Sequence, residues 1–227
     1  MILAAGRGER MRPLSDRVPK PLLPVGGRPL IIWLLQALGH AGFRRIVINV
    51  AHLGEMIEAE IGHGAAFGLE VLWSRESPAL ETAGGIAHAL PLLGEKPFVV
   101  VNGDIWTDYD FSALRRQGLP RGLARLVLVD NPPHHPQGDF ALLPHGEGFR
   151  VSEEEGERLT FAGIGCYHPR LFAAVEPDRP LPLAPLLRAA MAAGEICGEH
   201  FRGRWTDVGT PQRLLQLDAQ VRAMGVS

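Results

Sequence analysis

The sequence predicts an α/β fold whose mixed, mostly parallel sheet is flanked by helices, and two observations predict it. Short runs rich in Val, Ile and Leu alternate with longer helix-like segments through the first half of the 227 residues. After Asp130 that rhythm gives way to a proline-rich connection and further strand-like runs, so the second half reads as an insertion covering one edge of the sheet. The length suits a single domain over residues 1–227, changing character near residue 130.

The elements follow in order. "MILAA" (1–5), "RIVINV" (45–50), "LEVLWS" (69–74), "PFVVVN" (97–102) and "ARLVLVD" (124–130) are the strands of the alternating half. Between them, "PLIIWLLQALGHAG" (29–42), "LGEMIEAEIGHG" (53–64) and "GGIAHALPLL" (84–93) carry helical patterns, the first ending on a glycine that suits a left-handed cap. "FALLPHGEGFR" reads as a hairpin, "LTFAGIGCYHP" as a strand and "PLAPLLRAAMAAGE" as a late helix. "RWTDVGTPQRLLQLDAQVRAM" then returns to the sheet and closes with a helix.

Composition excludes several classes. A formal net charge of −2 gives no reason to expect nucleic acid or an acidic membrane as partner. Cys166 and Cys197, the only cysteines, are too few and too far apart for a zinc knuckle or a disulfide framework. No apolar stretch approaches the roughly 18 residues of a membrane span. With no signal-like segment before the first strand, the sequence reads as cytoplasmic.

Residues 2–25, "ILAAGRGERMRPLSDRVPKPLLPV", place a small-residue turn and several cations directly after the first strand. A dinucleotide fingerprint would have a third glycine where Met11 stands, and a GK[ST] phosphate loop would not have Pro21 after Lys20. At the carboxyl end of a strand, the backbone N–H groups of this loop suit a phosphate tail, with Arg10 and Lys20 supplying charge. A solvated basic turn fits the loop alone as well. Only Lys20 and Lys96 are lysine among the 23 Lys and Arg residues, so a lysine held between Pro19 and Pro21 suggests a need for a compact ammonium.

"VVVNGDIWTD" (99–108) brings Asp104 to the carboxyl edge of the sheet, and Asn-Gly-Asp is also ordinary turn chemistry. In "WTDVGT" (205–210), Asp207 precedes a glycine turn, while Thr210 is the better cap for a helix starting at Pro211. Two aspartates with phosphate oxygens and waters make an ordinary magnesium site.

The loop resembles the signature of the sugar-1-phosphate nucleotidyltransferases, a G-x-G-x-R loop followed by P-K-P-L-L-P-V. "LETAGGI" (80–86) resembles that family's base-binding segment, "NGD" its metal turn, "FAGIG" its sugar-binding strand and "WTDVGT" its second metal aspartate. The order is the family's own. The resemblance implies a Rossmann-like three-layer α/β/α fold with a small sugar-side insertion, the nucleotide-binding part over about 1–130 and the sugar-binding part over about 131–227. It implies a Mg²⁺-dependent enzyme whose partners are a nucleoside triphosphate and a sugar-1-phosphate. The match is nearest to the family's short single-domain form, which uses UTP on a cell-wall sugar phosphate; enzymes of mannose- or glucose-1-phosphate using GTP or dTTP are the alternative, and a non-catalytic nucleotide-sugar sensor the reading of another class.

By the same resemblance, Arg10 and Lys20 are catalytic and Asp104 and Asp207 hold the metal. Ala4, Ala5, Gly6, Gly8, Glu81, Thr82 and Gly84 border the nucleotide; Asn102, Gly138, Thr160, Gly163 and Arg202 border the sugar. The sequence departs from the family in two places. A further lysine found beside the sugar phosphate in many relatives is missing from "VSEEEGERLTFAG", where Arg158 is the nearest cation, and Glu81 stands where many relatives carry glycine. In "GEHFRGRW", strand alternation would put His200, Arg202 and Arg204 on one face, leaving Arg202 or Arg204 to meet a substrate carboxylate. His134, His135 and Glu153 to Glu155 read as solvated loops, and Trp33 as core.

Overall fold

The Val/Ile/Leu runs are strands in the computed structural model, which describes residues 1–119 and 121–225. In chain order the strands are β1 (Ile2–Leu3), β2 (Pro24–Val25), β3 (Arg28–Pro29), β4 (Arg45–Val50), β5 (Glu70–Arg75), β6 (Phe98–Asn102) and β7 (Ile105–Thr107). They continue as β8 (Ala124–Val129), β9 (Phe140–His145), β10 (Gly148–Ser152), β11 (Arg158–Tyr167), β12 (Ile196–Phe201) and β13 (Trp205–Asp207). The helices are α1 (Leu30–His40), α2 (Gly54–Ile61), α3 (Glu81–Leu93), α4 (Phe111–Gln117), α5 (Leu183–Ala192) and α6 (Pro211–Ala223). Among the described residues nine strands form one mixed sheet. Among the described residues no helix is long and apolar enough to cross a membrane.

The chain forms two compact units. The loop unit comprises Ile2–Ala79, Asn102–Arg115 and the segment from Arg204; the strand-rich unit comprises Met1, Leu80–Val101 and Arg116–Gly203. Each is interleaved in sequence.

In the loop unit β5, β4 and β1 pair in parallel, with Val47 opposite Leu72 and Ile2 opposite Ile48. Parallel pairing puts their carboxyl ends at one edge, where the glycine loop leaves β1. Two small antiparallel ladders, β2 with β3 and β7 with β13, complete the unit. Met11, Leu23, Val25, Leu30, Trp106, Val208, Leu214, Leu217 and Val221 form a buried apolar cluster against which Trp33 packs. Trp33 also donates from Nε1 to the carbonyl of Val25 at 3.0 Å and meets the edge of Trp106.

In the strand-rich unit the order is β6-β11-β8-β12-β10-β9, and only β8 with β12 is parallel. The antiparallel share of the sheet is thus larger than the alternating pattern predicts. Strands of the second half do not lie over an edge; they are themselves members of the sheet, and β9 is the last strand of this order. For β9 and β10 the cause is a short connection: they are joined by Gly146 and Glu147 alone, with Gly146 at φ 59°, and such a turn permits only an antiparallel pair. β11 carries a bulge between Phe161 and Gly165, where Gly163 takes φ 69°.

Candidate active site

The loop is fixed at both ends by buried polar groups. The amide of Ala4 donates to Asn49 Oδ1 at 2.9 Å, and Asn49 Nδ2 donates to Glu76 Oε1 at 2.7 Å. Asn49 and Glu76 are buried, so this bridge defines where the chain leaves β1. Gly8 takes φ 63°, and its carbonyl accepts from Ser15 Oγ and the amide of Met11, both at 2.8 Å. A Cβ there would lie 3.3 Å from that of Ser15 and 3.4 Å from that of Lys20, so both backbone and space favour glycine. The tight turn over Glu9–Met11 drives Met11 into the apolar cluster and leaves Arg10 exposed. The residue that breaks the dinucleotide fingerprint is therefore the loop's anchor in the core.

Lys20 opens a second tight turn, Lys20–Leu22, after Pro19 and with Pro21 buried. Its ammonium lies 2.5 Å from Asp104 Oδ2, with the lysine side chain 11% exposed and the aspartate 33%. Asp104 reaches this point because Gly103 donates its amide to the carbonyl of Leu3 at 2.8 Å, and that carbonyl also fills the space a side chain would need.

Asp207 is brought alongside by the β7–β13 ladder, in which it stands opposite Ile105; the amide of Val208 donates to the carbonyl of Asp104 at 2.8 Å. Arg213 Nη1 donates to both oxygens of Asp207, at 2.6 and 2.5 Å. Thr210 caps α6 by accepting from the amide of Arg213, with Pro211 in the first turn, as the sequence predicts.

Gly8, Glu9, Arg10, Met11, Lys20 and Gly209 line one open cleft in this unit. Its lining supplies two cations and loop amides, donors suited to phosphate oxygens, and Lys20 there is bonded to Asp104. No group of three or more His, Cys, Asp or Glu suited to a metal occurs among the described residues. Two carboxylates with substrate oxygens and water completing the shell fit Mg²⁺, which commonly keeps waters and shares phosphates.

Comparison with known proteins decides the family. Residues 1–223 match the family described as Nucleotidyl transferase. The chain belongs to that family. It is 52% identical over 223 residues to the N-acetylmuramate alpha-1-phosphate uridylyltransferase of Neisseria meningitidis serogroup B, covering 96% of each protein. The enzyme of the same name from Caulobacter vibrioides is 35% identical, over 97% of this chain and 96% of that one. Among solved structures, a Bacillus anthracis protein assigned as a glucose-1-phosphate thymidylyltransferase has a TM-score of 0.83 at 23% identity, covering 97% of this chain and 94% of that one.

The residues that the sequence resemblance points to divide between the units. Ala4, Ala5, Gly6, Gly8, Asn102 and the four charged residues lie in the loop unit; Glu81, Thr82, Gly84, Gly138, Thr160, Gly163 and Arg202 lie in the strand-rich unit. Glu81 takes φ 57° at the start of α3, a backbone conformation that favours glycine. The amide of Gly84 donates to the carbonyl of Leu181 at 3.1 Å, and Arg179 and Leu181 fill the space of its missing side chain. Thr160 donates from Oγ1 to Asn131 Oδ1 at 2.8 Å, and a Cβ on Gly138 would press on that same oxygen. Arg158 donates from Nη2 to the carbonyl of Glu153 at 2.8 Å.

Two corrections concern the C-terminal arginines. β12 ends at Phe201, so strand alternation does not extend through Arg202 and Arg204. Arg202 is exposed in the strand-rich unit, whereas Arg204 belongs to the loop unit, where its amide donates to Asp108 Oδ1 at 2.7 Å. Arg213 is absent from the sequence-predicted site. Its signal was a cation in a first helical turn, where acids are favoured.

Proposed function

We propose that this nucleotidyl transferase moves a uridylyl group from UTP to N-acetylmuramate α-1-phosphate, in the cytoplasm, as part of peptidoglycan recycling. The observation that carries the substrate is 52% identity over 96% of both chains to an enzyme of that name. The Lys20, Arg10, Asp104 and Asp207 constellation supports the chemistry.

A sugar-phosphate oxygen forms a bond to the α-phosphorus of UTP as the bond from that phosphorus to the bridging oxygen breaks, releasing pyrophosphate. The nucleophile is already an anion, so the chain's residues supply position and charge and need no general base. Lys20 holds the α-phosphate and its attacker, while Arg10 holds the departing pyrophosphate. Asp104 and Asp207 would hold a Mg²⁺ ion, which supplies charge neutralisation when bound.

Ala4, Ala5, Gly6, Gly8, Glu81, Thr82 and Gly84 border the nucleotide in this reading, and Asn102, Gly138, Thr160, Gly163 and Arg202 the sugar. The test is pyrophosphate release from a panel of nucleoside triphosphates and sugar-1-phosphates. The highest kcat/KM is expected with UTP and N-acetylmuramate-1-phosphate. Preference for mannose-1-phosphate with GTP would replace the substrate assignment, and no release from any pair would point to a nucleotide-sugar sensor.

A further inference from the structure

We infer that Arg213 is the resident counter-ion of Asp207 and yields that carboxylate to a divalent ion only when phosphate oxygens are there to receive its guanidinium. The inference rests on the proposed metal role of Asp207.

The position of Arg213 needs an explanation. It sits in the first turn of α6, where the helix dipole disfavours a cation, yet its side chain is only 13% exposed. Asp207 offsets that charge, with both of its oxygens engaged by Nη1 at 2.6 and 2.5 Å. Gly209 leaves room for the arrangement. A Cβ there would collide with the Arg213 guanidinium and lie 3.1 Å from Asp207 Oδ2, and Gly209 itself lines the cleft with Arg10 and Lys20. The guanidinium thus lies over a residue that faces the phosphate-suited cleft.

A divalent ion approaching Asp207 must compete with, or lie beside, a cation already bonded to both oxygens. Alone, it meets like-charge repulsion from Arg213 and from Lys20 on Asp104. When a triphosphate arrives with it, the guanidinium gains another anion, for which its fork of donors is suited. Ion and nucleotide therefore bind with positive coupling, which is necessarily reciprocal.

The test measures Mn²⁺ binding by electron paramagnetic resonance in the absence of nucleotide, on folded protein checked by circular dichroism. Removing the guanidinium from the Asp207 carboxylate should tighten Mn²⁺ about tenfold in Arg213→Gln, with Arg213→Lys intermediate. Arg213→Lys carries the comparison should Arg213→Gln not fold. Arg10→Gln controls for the general loss of positive charge in the cleft and should tighten Mn²⁺ much less. Calorimetry with UTP alone should show Arg213→Gln losing more affinity in Mg²⁺ than in EDTA. Unchanged or weaker Mn²⁺ binding in the folded Arg213 variants, an equal gain in Arg10→Gln, or an equal UTP loss in both buffers would overturn the inference. Asp207→Asn separates the underlying reading: if it leaves Mn²⁺ affinity intact, Asp207 is not a metal ligand and the inference goes with it.

Discussion

Lys20 Nζ and Asp104 Oδ2 lie 2.5 Å apart, so a residue the sequence assigns to phosphate and one it assigns to metal hold each other. Arg213 and Asp207 repeat the relationship at the second aspartate. Each of the two aspartates thus carries its own cation.

Lys20→Ala should lower kcat by about 10²–10³, the usual effect of losing one preorganised donor aimed at transition-state charge. Lys20→Arg should also be impaired. The lysine side chain is only 11% exposed and its stem runs close to Gly8, and a guanidinium is longer, planar and not a compact charge. Steady-state pyrophosphate release checks both; full activity in Lys20→Arg would discard the need for a compact charge.

Asp104→Ala and Asp207→Ala should each abolish turnover while the protein stays folded. The two segments are tied by backbone, through the amide of Val208 and the carbonyl of Asp104, so neither carboxylate is needed to hold them together. EDTA should silence the native enzyme and Mg²⁺ should restore it. Normal turnover in either variant would remove that aspartate from the site.

Met11→Ala should destabilise the protein by about 2–5 kcal/mol in urea unfolding, the usual range for such a cavity. Met11 is fully buried in the cluster that also holds Val208 and Leu214, the neighbours of Asp207 and Arg213. Activity should fall beyond the loss of folded protein because Arg10 loses its anchored neighbour.

Much of this was legible in the sequence because long apolar runs and special backbone positions leave marks. β4, β5, β6 and β8 followed from Val/Ile runs, and Lys20, Asp104 and Asp207 from a glycine loop and two strand-ending aspartates. The ladders β2–β3 and β7–β13 have two or three residues per strand and carry no readable period, although the second aligns both aspartates. The sequence pattern starts this helix at Gly84, whereas α3 begins at Glu81; at Gly84 close packing by Arg179 and Leu181 requires the missing side chain. Beyond its place in the first turn of α6, nothing in the sequence sets Arg213 apart from the other arginines, since the turn through Gly209 is what brings it to Asp207.

The cysteines should be inert in the native state. Burial pushes the Cys166 thiol up to about 11, and Cys197, half-buried, is raised by the same cause. At pH 8 Cys166 would be thiolate in only about one molecule in a thousand, and the thiolate is the reactive form. Ellman's reagent should therefore label folded protein far more slowly than protein in guanidinium. Rapid native labelling of Cys166 would contradict the buried strand position.

Arg202 gives the sharpest test of substrate. N-acetylmuramate differs from N-acetylglucosamine by a lactyl ether carrying a carboxylate, and a site selective for it should offer a cation or a directed donor. Arg202 follows the last residue of β12 and is exposed, whereas Arg204 is tied by its amide to Asp108 and approaches Met224 Sδ through Nη1. Of the two, only Arg202 belongs to the unit that holds Thr160, Gly138 and Gly163. With UTP saturating, Arg202→Ala should lower kcat/KM for N-acetylmuramate-1-phosphate by about tenfold relative to N-acetylglucosamine-1-phosphate, the scale of one charge-assisted contact. Arg204→Ala should leave that ratio unchanged, any loss falling on both sugars alike. If the ratio moves with Arg204 and not with Arg202, the carboxylate is met from the loop unit instead; if it moves with neither, these arginines do not select the sugar.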